Sequence, residues 1–155
     1  MSQRSSLSLN DVALLDNQAL DTLATLFGEE GPSALVALID EYLSEIALAL
    51  PRMDTAVENH NSNDLYVQAH TLKSSSANMG ALTVAEISKQ IEAAARVGEW
   101  DYAIEHLAEL KREYPRVQRA MLVMNTTHKQ KEADRAIRLN ICLAQSNYAS
   151  TVGSS

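Results

Sequence analysis

One cysteine, Cys142, is all the thiol chemistry this 155-residue chain possesses. A single thiol forms no disulfide within the chain and leaves no second sulfur for a cysteine-based metal site, so a reducing compartment is the expected home. Aromatic residues are also scarce, at 5%, and Gly and Pro number only 5 and 3. With apolar residues at 46%, that scarcity leaves a core of Leu, Ala, Ile and Val, the profile of a helical protein, and no sheet is expected. No apolar run reaches the ~20 residues of a membrane span. The start of the chain, with only Arg4 ahead of SSLSLNDVALLD, lacks the unbroken apolar stretch of a signal peptide. A cytoplasmic protein with no membrane partner is expected.

Basic charge is short as well. Residues 1–122 hold 9 Lys and Arg against 18 Asp and Glu, and residues 123–155 hold 4 against 2, so balances of −9 and +2 make up the chain's −7. An acidic body of this kind repels phosphate backbones, and nucleic acid is not an expected partner. The glycines Gly28, Gly31, Gly80, Gly98 and Gly153 form no GxGxxG or GxxxxGK[ST] loop, so no nucleotide site is expected and the chain should not be a kinase. Three residues before His60, His70, His106 and His128 stand Val57, Val67, Ala103 and Asn125, which denies the Glu-x-x-His pairs of a di-iron bundle, and HExxH does not occur. Neither a metal nor a cofactor is expected on this chain.

What remains is written in helical periods. Asp16 suits an N-cap for a first helix carrying Leu20, Leu23, Ala24 and Phe27, and Gly28 stands where that helix would end. The following EEG reads as a turn. Pro32 opens a second helix with Leu35, Leu38, Ile39, Tyr42, Leu43, Ile46 and Leu50 on one side, which Pro51 is expected to kink or interrupt before Met53, Ala56 and Val57 resume it. The NHNSN cluster turns into a third helix that ends near Gly80, and a fourth runs from Leu82 through Ala85, Ile87, Ile91 and Ala95 to Gly98. A fifth starts near Asp101 with Ile104, Leu107, Leu110, Tyr114, Val117 and Met121, and Pro115 predicts a kink in it. Short connections between amphipathic helices predict an all-α fold, an antiparallel up-down four-helix bundle with an additional N-terminal capping helix. Residues 1–15 read as a flexible leader, 16–122 as the bundle, and 123–155 as an extension. In the extension Ala133, Ala136, Ile137, Ile141 and Ala144 line a short helix before a disordered NYASTVGSS end.

The third helix holds the candidate site. At ~100° per residue, Leu65, Ala69, Leu72, Ser76, Met79 and Thr83 share one stripe and His70 lies opposite it, facing water. Lys73 and Ala77 flank it on one side, and Ser74, Val67 and Asn78 on the other. Only the lysine is long, so a partner surface can approach the ring. A water-facing imidazole is largely neutral at pH 7 and offers a lone pair as a nucleophile toward an acyl phosphate. Lys73 at i+3, its head expected in solvent, and Ser74 at i+4 both suit a phosphate above the ring. Phosphoryl transfer rests mainly on positioning and charge. A domain offering only nucleophile and cation therefore depends on its partner for the metal and the donor carboxylate, which makes it a relay and not an enzyme. His60 in its polar turn, His106 among charges, and His128 beside Lys129 and Lys131 read as solvated surface.

Residues 69–81, AHTLKSSSANMGA, resemble the His-x-x-Lys-small-small core of the histidine-containing phosphotransfer (HPt) domains of bacterial multistep phosphorelays. The similarity runs from about Asp16 to Met121 and includes the Gly-Glu-Trp-Asp turn of residues 98–101. It implies a helical bundle that shuttles phosphoryl groups between aspartates of receiver domains, with His70 at the phosphoacceptor position, Lys73 at the phosphate-neighbouring lysine and Gly80 at the glycine closing the motif. Many relatives carry glycine after the lysine, where this chain has Ser74; serine is still small, and docking is expected to survive. The implied partners are receiver domains of a hybrid histidine kinase and of a response regulator, with Mg²⁺ held by the receiver. Helical geometry puts Tyr66, Val67, Ala77 and Asn78 on the docking surface. A diffusing monomer is expected, whose transient interfaces bury no more than ~1,200 Å². The rival reading is a helical adaptor that binds a receiver or kinase without accepting phosphate.

Overall fold

Residues 15–152 are described by the structure, a computed structural model. The expected leader thus lies, Leu15 apart, outside the described residues. Among the described residues the chain forms five α-helices and no strand: α1 (Asn17–Leu26), α2 (Gly31–Glu58), α3 (Ser62–Asn78), α4 (Leu82–Val97) and α5 (Trp100–Val152). Helices α2 to α5 pack in a ring, each against its neighbours in sequence and α5 back onto α2, while α1 lies on α2. This is the up-down four-helix bundle with a capping helix that the short connections predict.

Local chemistry sets each boundary. Asp16 caps α1 by accepting from the amides of Gln18 and Ala19, and its own amide donates to the Gly80 carbonyl at 2.8 Å, so the start of α1 is fastened to the α3–α4 turn. Asn61, from the polar cluster, caps α3 by accepting from the Asp64 amide. The Ser62 hydroxyl donates to the Ala95 carbonyl at 2.6 Å and pins the start of α3 to the end of α4. Gly98 closes α4 in the left-handed conformation, φ +70°.

The core stripe on α3 is as the spacing predicts: Leu65, Ala69, Leu72, Ser76 and Met79 are buried, while Thr83, already on α4, is half-buried. Ser76 would be costly there alone, but its hydroxyl shares a 2.7 Å hydrogen bond with the buried Tyr42 hydroxyl of α2. On α5 the inward position is Ala103, not Ile104, which is 49% exposed.

Three sequence expectations need correction. The turn expected over Glu29, Glu30 and Gly31 lies one residue earlier, as the 3₁₀ helix Gly28–Glu30, and Gly31 already opens α2. Pro51 does not interrupt its helix: α2 passes through it, as α5 passes through Pro115. Each proline forfeits one backbone hydrogen bond. Ile46, Ala49, Met53 and Ala56 around the first, and Leu110, Val117, Ala120 and Met121 around the second, are buried on both sides of the proline and offset that loss. The third correction concerns the extension, which is no separate short helix with a disordered end but the continuation of α5 as far as Val152. Growth from an anchored helix avoids the nucleation cost that a separate segment would face. Buried Asn125, whose side-chain amide donates to Asp40 at 2.8 Å, and Glu132, which accepts from the Ser33 hydroxyl, tie its first turns to α2.

Candidate functional site

Midway along α3, opposite the core stripe, His70 exposes 51% of its side chain. The Tyr66 ring, one turn earlier, stacks on it with centroids 5.7 Å apart and planes 17° from parallel. Arg96 of α4 closes the other end of this row, with its guanidinium 5.1 Å from the centre of the Tyr66 ring and Nη2 donating to the Tyr66 hydroxyl at 3.0 Å. One face of the imidazole is thus fixed by an aromatic neighbour, and the ring cannot swing without losing that contact.

Beneath the histidine lies a residue that the sequence reading missed. Glu92 of α4 is buried, and its carboxylate faces three nitrogens: Oε2 is 2.5 Å from Lys73 Nζ, and Oε1 is 3.4 Å from both His70 Nδ1 and Arg96 Nη2. Burial alone would push the carboxyl pKa up, but the hydrogen bonds from Lys73 and His70, with the attraction of their charges, outweigh it and hold Glu92 below the usual carboxylate range. A carboxylate beside Nδ1 favours the tautomer with its proton there, which leaves the lone pair on Nε2, at the ring edge that does not face Glu92. One signal for Glu92 does exist in the sequence. Ser88, Ile91, Glu92 and Ala95 follow the i, i+3, i+4, i+7 pattern of a buried stripe, and an acid in that register needs a partner.

Lys73 departs from expectation. Its head is not in open solvent: the side chain is 32% exposed and pairs with Glu92. Ser74 is exposed beside the ring, but its hydroxyl donates to the His70 carbonyl at 3.2 Å, so it faces its own helix. Val67, Ala77 and Asn78 lie exposed on the same helix, and Tyr66 is half-buried. Gly80 is not beside the imidazole. It is buried in the α3–α4 turn at φ +73°, where a Cβ would stand 2.8 Å from the Asp16 carbonyl oxygen. The other histidines are elsewhere: His60 is edge-on to Trp100 at 5.0 Å, His106 Nδ1 lies 2.9 Å from the Tyr102 carbonyl, and His128 is half-buried on α5. Among the described residues no cluster of three or more His, Cys, Asp or Glu could hold a metal ion, and no helix is long and apolar enough to cross a membrane.

Comparison with known proteins agrees with this geometry. The sequence profile of the Hpt domain matches residues 37–120. Among solved structures, the histidine-containing phosphotransfer protein B of Pseudomonas aeruginosa PAO1 is similar with a TM-score of 0.67 at 26% identity, over 74% of this chain and 96% of that one. No curated protein sequence matches.

Proposed function

This chain belongs to the Hpt domain family, and from that premise we propose that it is a phosphorelay intermediate which takes a phosphoryl group onto His70 from a receiver-domain aspartyl phosphate and passes it to the aspartate of another receiver. The observation that carries the assignment to His70 is the Glu92 carboxylate 3.4 Å from Nδ1 of an otherwise exposed ring. It favours the neutral tautomer whose Nε2 lone pair can attack phosphorus. As the N–P bond forms, the P–O bond to the donor aspartate breaks and the aspartate leaves as a free carboxylate; the return step to a second aspartate reverses these roles. Lys73 carries three N–H donors. Glu92 engages one, and the others are available to the phosphate oxygens on the phosphorylated ring.

The receiver holds the Mg²⁺ that assists such transfer and this chain supplies the nucleophile and the cation alone, so that it carries phosphate without being an enzyme in its own right. Val67, Ala77 and Asn78 around the ring supply the docking surface, with Tyr66 beneath it, and Arg96 adds a cation at its edge. The receivers belong to a hybrid histidine kinase and a response regulator, and the exchange takes place in the cytoplasm.

Incubation with a phosphorylated receiver and Mg²⁺ tests this reading. Acid-labile label should appear on the wild-type chain and be absent from His70→Gln. Undiminished label on His70→Gln would overturn the assignment, and binding without any histidine phosphorylation would make the chain an adaptor.

A further inference from the structure

Beyond the bundle, α5 continues as an exposed helix. From Thr126 to Tyr148 every residue except half-buried His128 is exposed, and this stretch lies outside the residues that the Hpt profile matches. From buried Asn125 to Val152 the helix extends about 40 Å at 1.5 Å per residue. Its exposed side chains are not those of a solvated spacer: Ile137, Leu139, Ile141 and Leu143 show 57%, 55%, 53% and 61% of their surface.

The arm is also sorted by face. At ~100° per residue, those four residues and Ala136 fall within ~200° of the circumference, with Asn140 near its middle. The charges Lys131, Asp134, Arg135 and Arg138 fall on the remaining side, while Lys129 and Glu132 share the apolar side but stand nearer the bundle, before Ala136. From Ala136 to Leu143 the apolar face is wide and the one charge lies at its back, a face built to be covered.

We propose that this face is covered by the same arm of a second copy of the chain, in a reversible dimer. The distribution of charge favours that occupant. Two bundles, each with a balance of −9 over residues 1–122, repel one another, whereas the stretch from Ala136 to Leu143 carries Arg138 as its one charge, on the back of the helix. Self-pairing through a two-fold axis requires a surface complementary to itself. An apolar strip is one, and an asparagine at its centre fits, because a side-chain amide both donates and accepts and so can pair with its own copy. A single central Asn is also the device by which paired helices fix register and number at some cost in stability. A contact one helix wide falls below the size of obligate interfaces, which makes the dimer concentration-dependent. Such a dimer takes the place of the monomer expected from the sequence, and it does not depend on phosphotransfer by His70.

Sedimentation velocity on the full chain, under reducing conditions so that Cys142 stays free, tests it. The weight-average mass should rise from 17.0 kDa toward twice that value between micromolar and sub-millimolar protein. Leu143→Glu should weaken the dimer at least tenfold without shifting thermal unfolding of the bundle, since the site lies outside the core, and His70→Gln should dimerise like wild type. A spin label on Cys142, the chain's sole cysteine and on the charged side of the arm, should show dipolar coupling between copies that Leu143→Glu abolishes. A monomer at every concentration would overturn the proposal, as would a dimer that survives Leu143→Glu.

Discussion

Lys73 Nζ sits 2.5 Å from Glu92 Oε2, across the packed contact between α3 and α4. The pair couples the two sides of the site, because the carboxylate that holds the lysine also faces His70 Nδ1. A flexible four-carbon stem is thereby given one preferred position before any phosphate arrives, and less side-chain entropy remains to be lost when it does. The same contact makes Lys73 part of the fold as well as of the site.

That double role predicts coupled stabilities. Lys73→Ala leaves a buried carboxylate short of a donor, and Glu92→Gln leaves a half-buried ammonium short of a counter-charge. Urea unfolding should show each single change costing about 1–3 kcal/mol, with the double mutant losing roughly 1 kcal/mol less than their sum. Strict additivity would contradict the pairing. Lys73→Ala should also slow phosphotransfer from a receiver while far-UV circular dichroism stays helical.

Gly80 and Gly98 are both left-handed, at φ +73° and +70°, yet alanine should be tolerated very differently at the two positions. At Gly98 a Cβ meets nothing within 4 Å, so only the backbone cost of about 1 kcal/mol applies. At Gly80 the same cost is joined by a 2.8 Å clash with the Asp16 carbonyl oxygen, at the point where α1 is fastened to the bundle. Thermal unfolding should place Gly80→Ala well below Gly98→Ala, and equal shifts would refute the close approach.

How much of this was legible beforehand depends on which force decides each feature. The α3 stripe and the outward His70 follow from period alone, because one face packs and the other does not. The continuity of α2 past Pro51 was hidden because the local rule counts one lost hydrogen bond, whereas burial of Ile46 and Met53 is decided by helices remote in sequence. Glu92 was hidden for a related reason. An acid in a buried register reads as a solvated edge until the facing helix, with Lys73 and His70 on it, is in place. The length of α5 escaped notice because the apolar periodicity weakens after Asn125, while continuity from an anchored helix leaves no mark in composition.

The hydroxyls of Tyr42 and Ser76 form an isolated polar pair in the core, and burial pushes the Tyr42 phenol above its ordinary range despite the opposing pull of the Ser76 hydrogen bond. Tyr42→Phe should cost about 1–3 kcal/mol, because the Ser76 hydroxyl is left buried without a partner. Adding Ser76→Ala should recover much of that loss, as measured by denaturant midpoint. A double mutant no better than Tyr42→Phe alone would show that the hydroxyl pair is not the cause.

Ser74 borders His70 but turns its hydroxyl to the His70 carbonyl at 3.2 Å. A group so occupied contributes little to a phosphate above the ring. Ser74→Ala should therefore leave the rate of phosphotransfer unchanged within error, and a substantial loss would place the hydroxyl on the phosphate after all.

Acid should act through Glu92. Its carboxyl pKa is lower in the folded chain than in the unfolded one, where it returns to about 4.5. The unfolded state then binds more protons, so the stability that Glu92 contributes is fully present above the unfolded pKa and is lost as the pH falls through the lower folded value. Glu92→Gln removes the titrating group. The stability gap between wild type and Glu92→Gln should narrow steadily as the pH falls below about 4.5, the ordinary carboxyl value. Urea midpoints across that range provide the measurement. A gap that widened on acidification would mean that burial dominates and that the folded pKa lies above the ordinary value, with Lys73 and His70 failing to offset it.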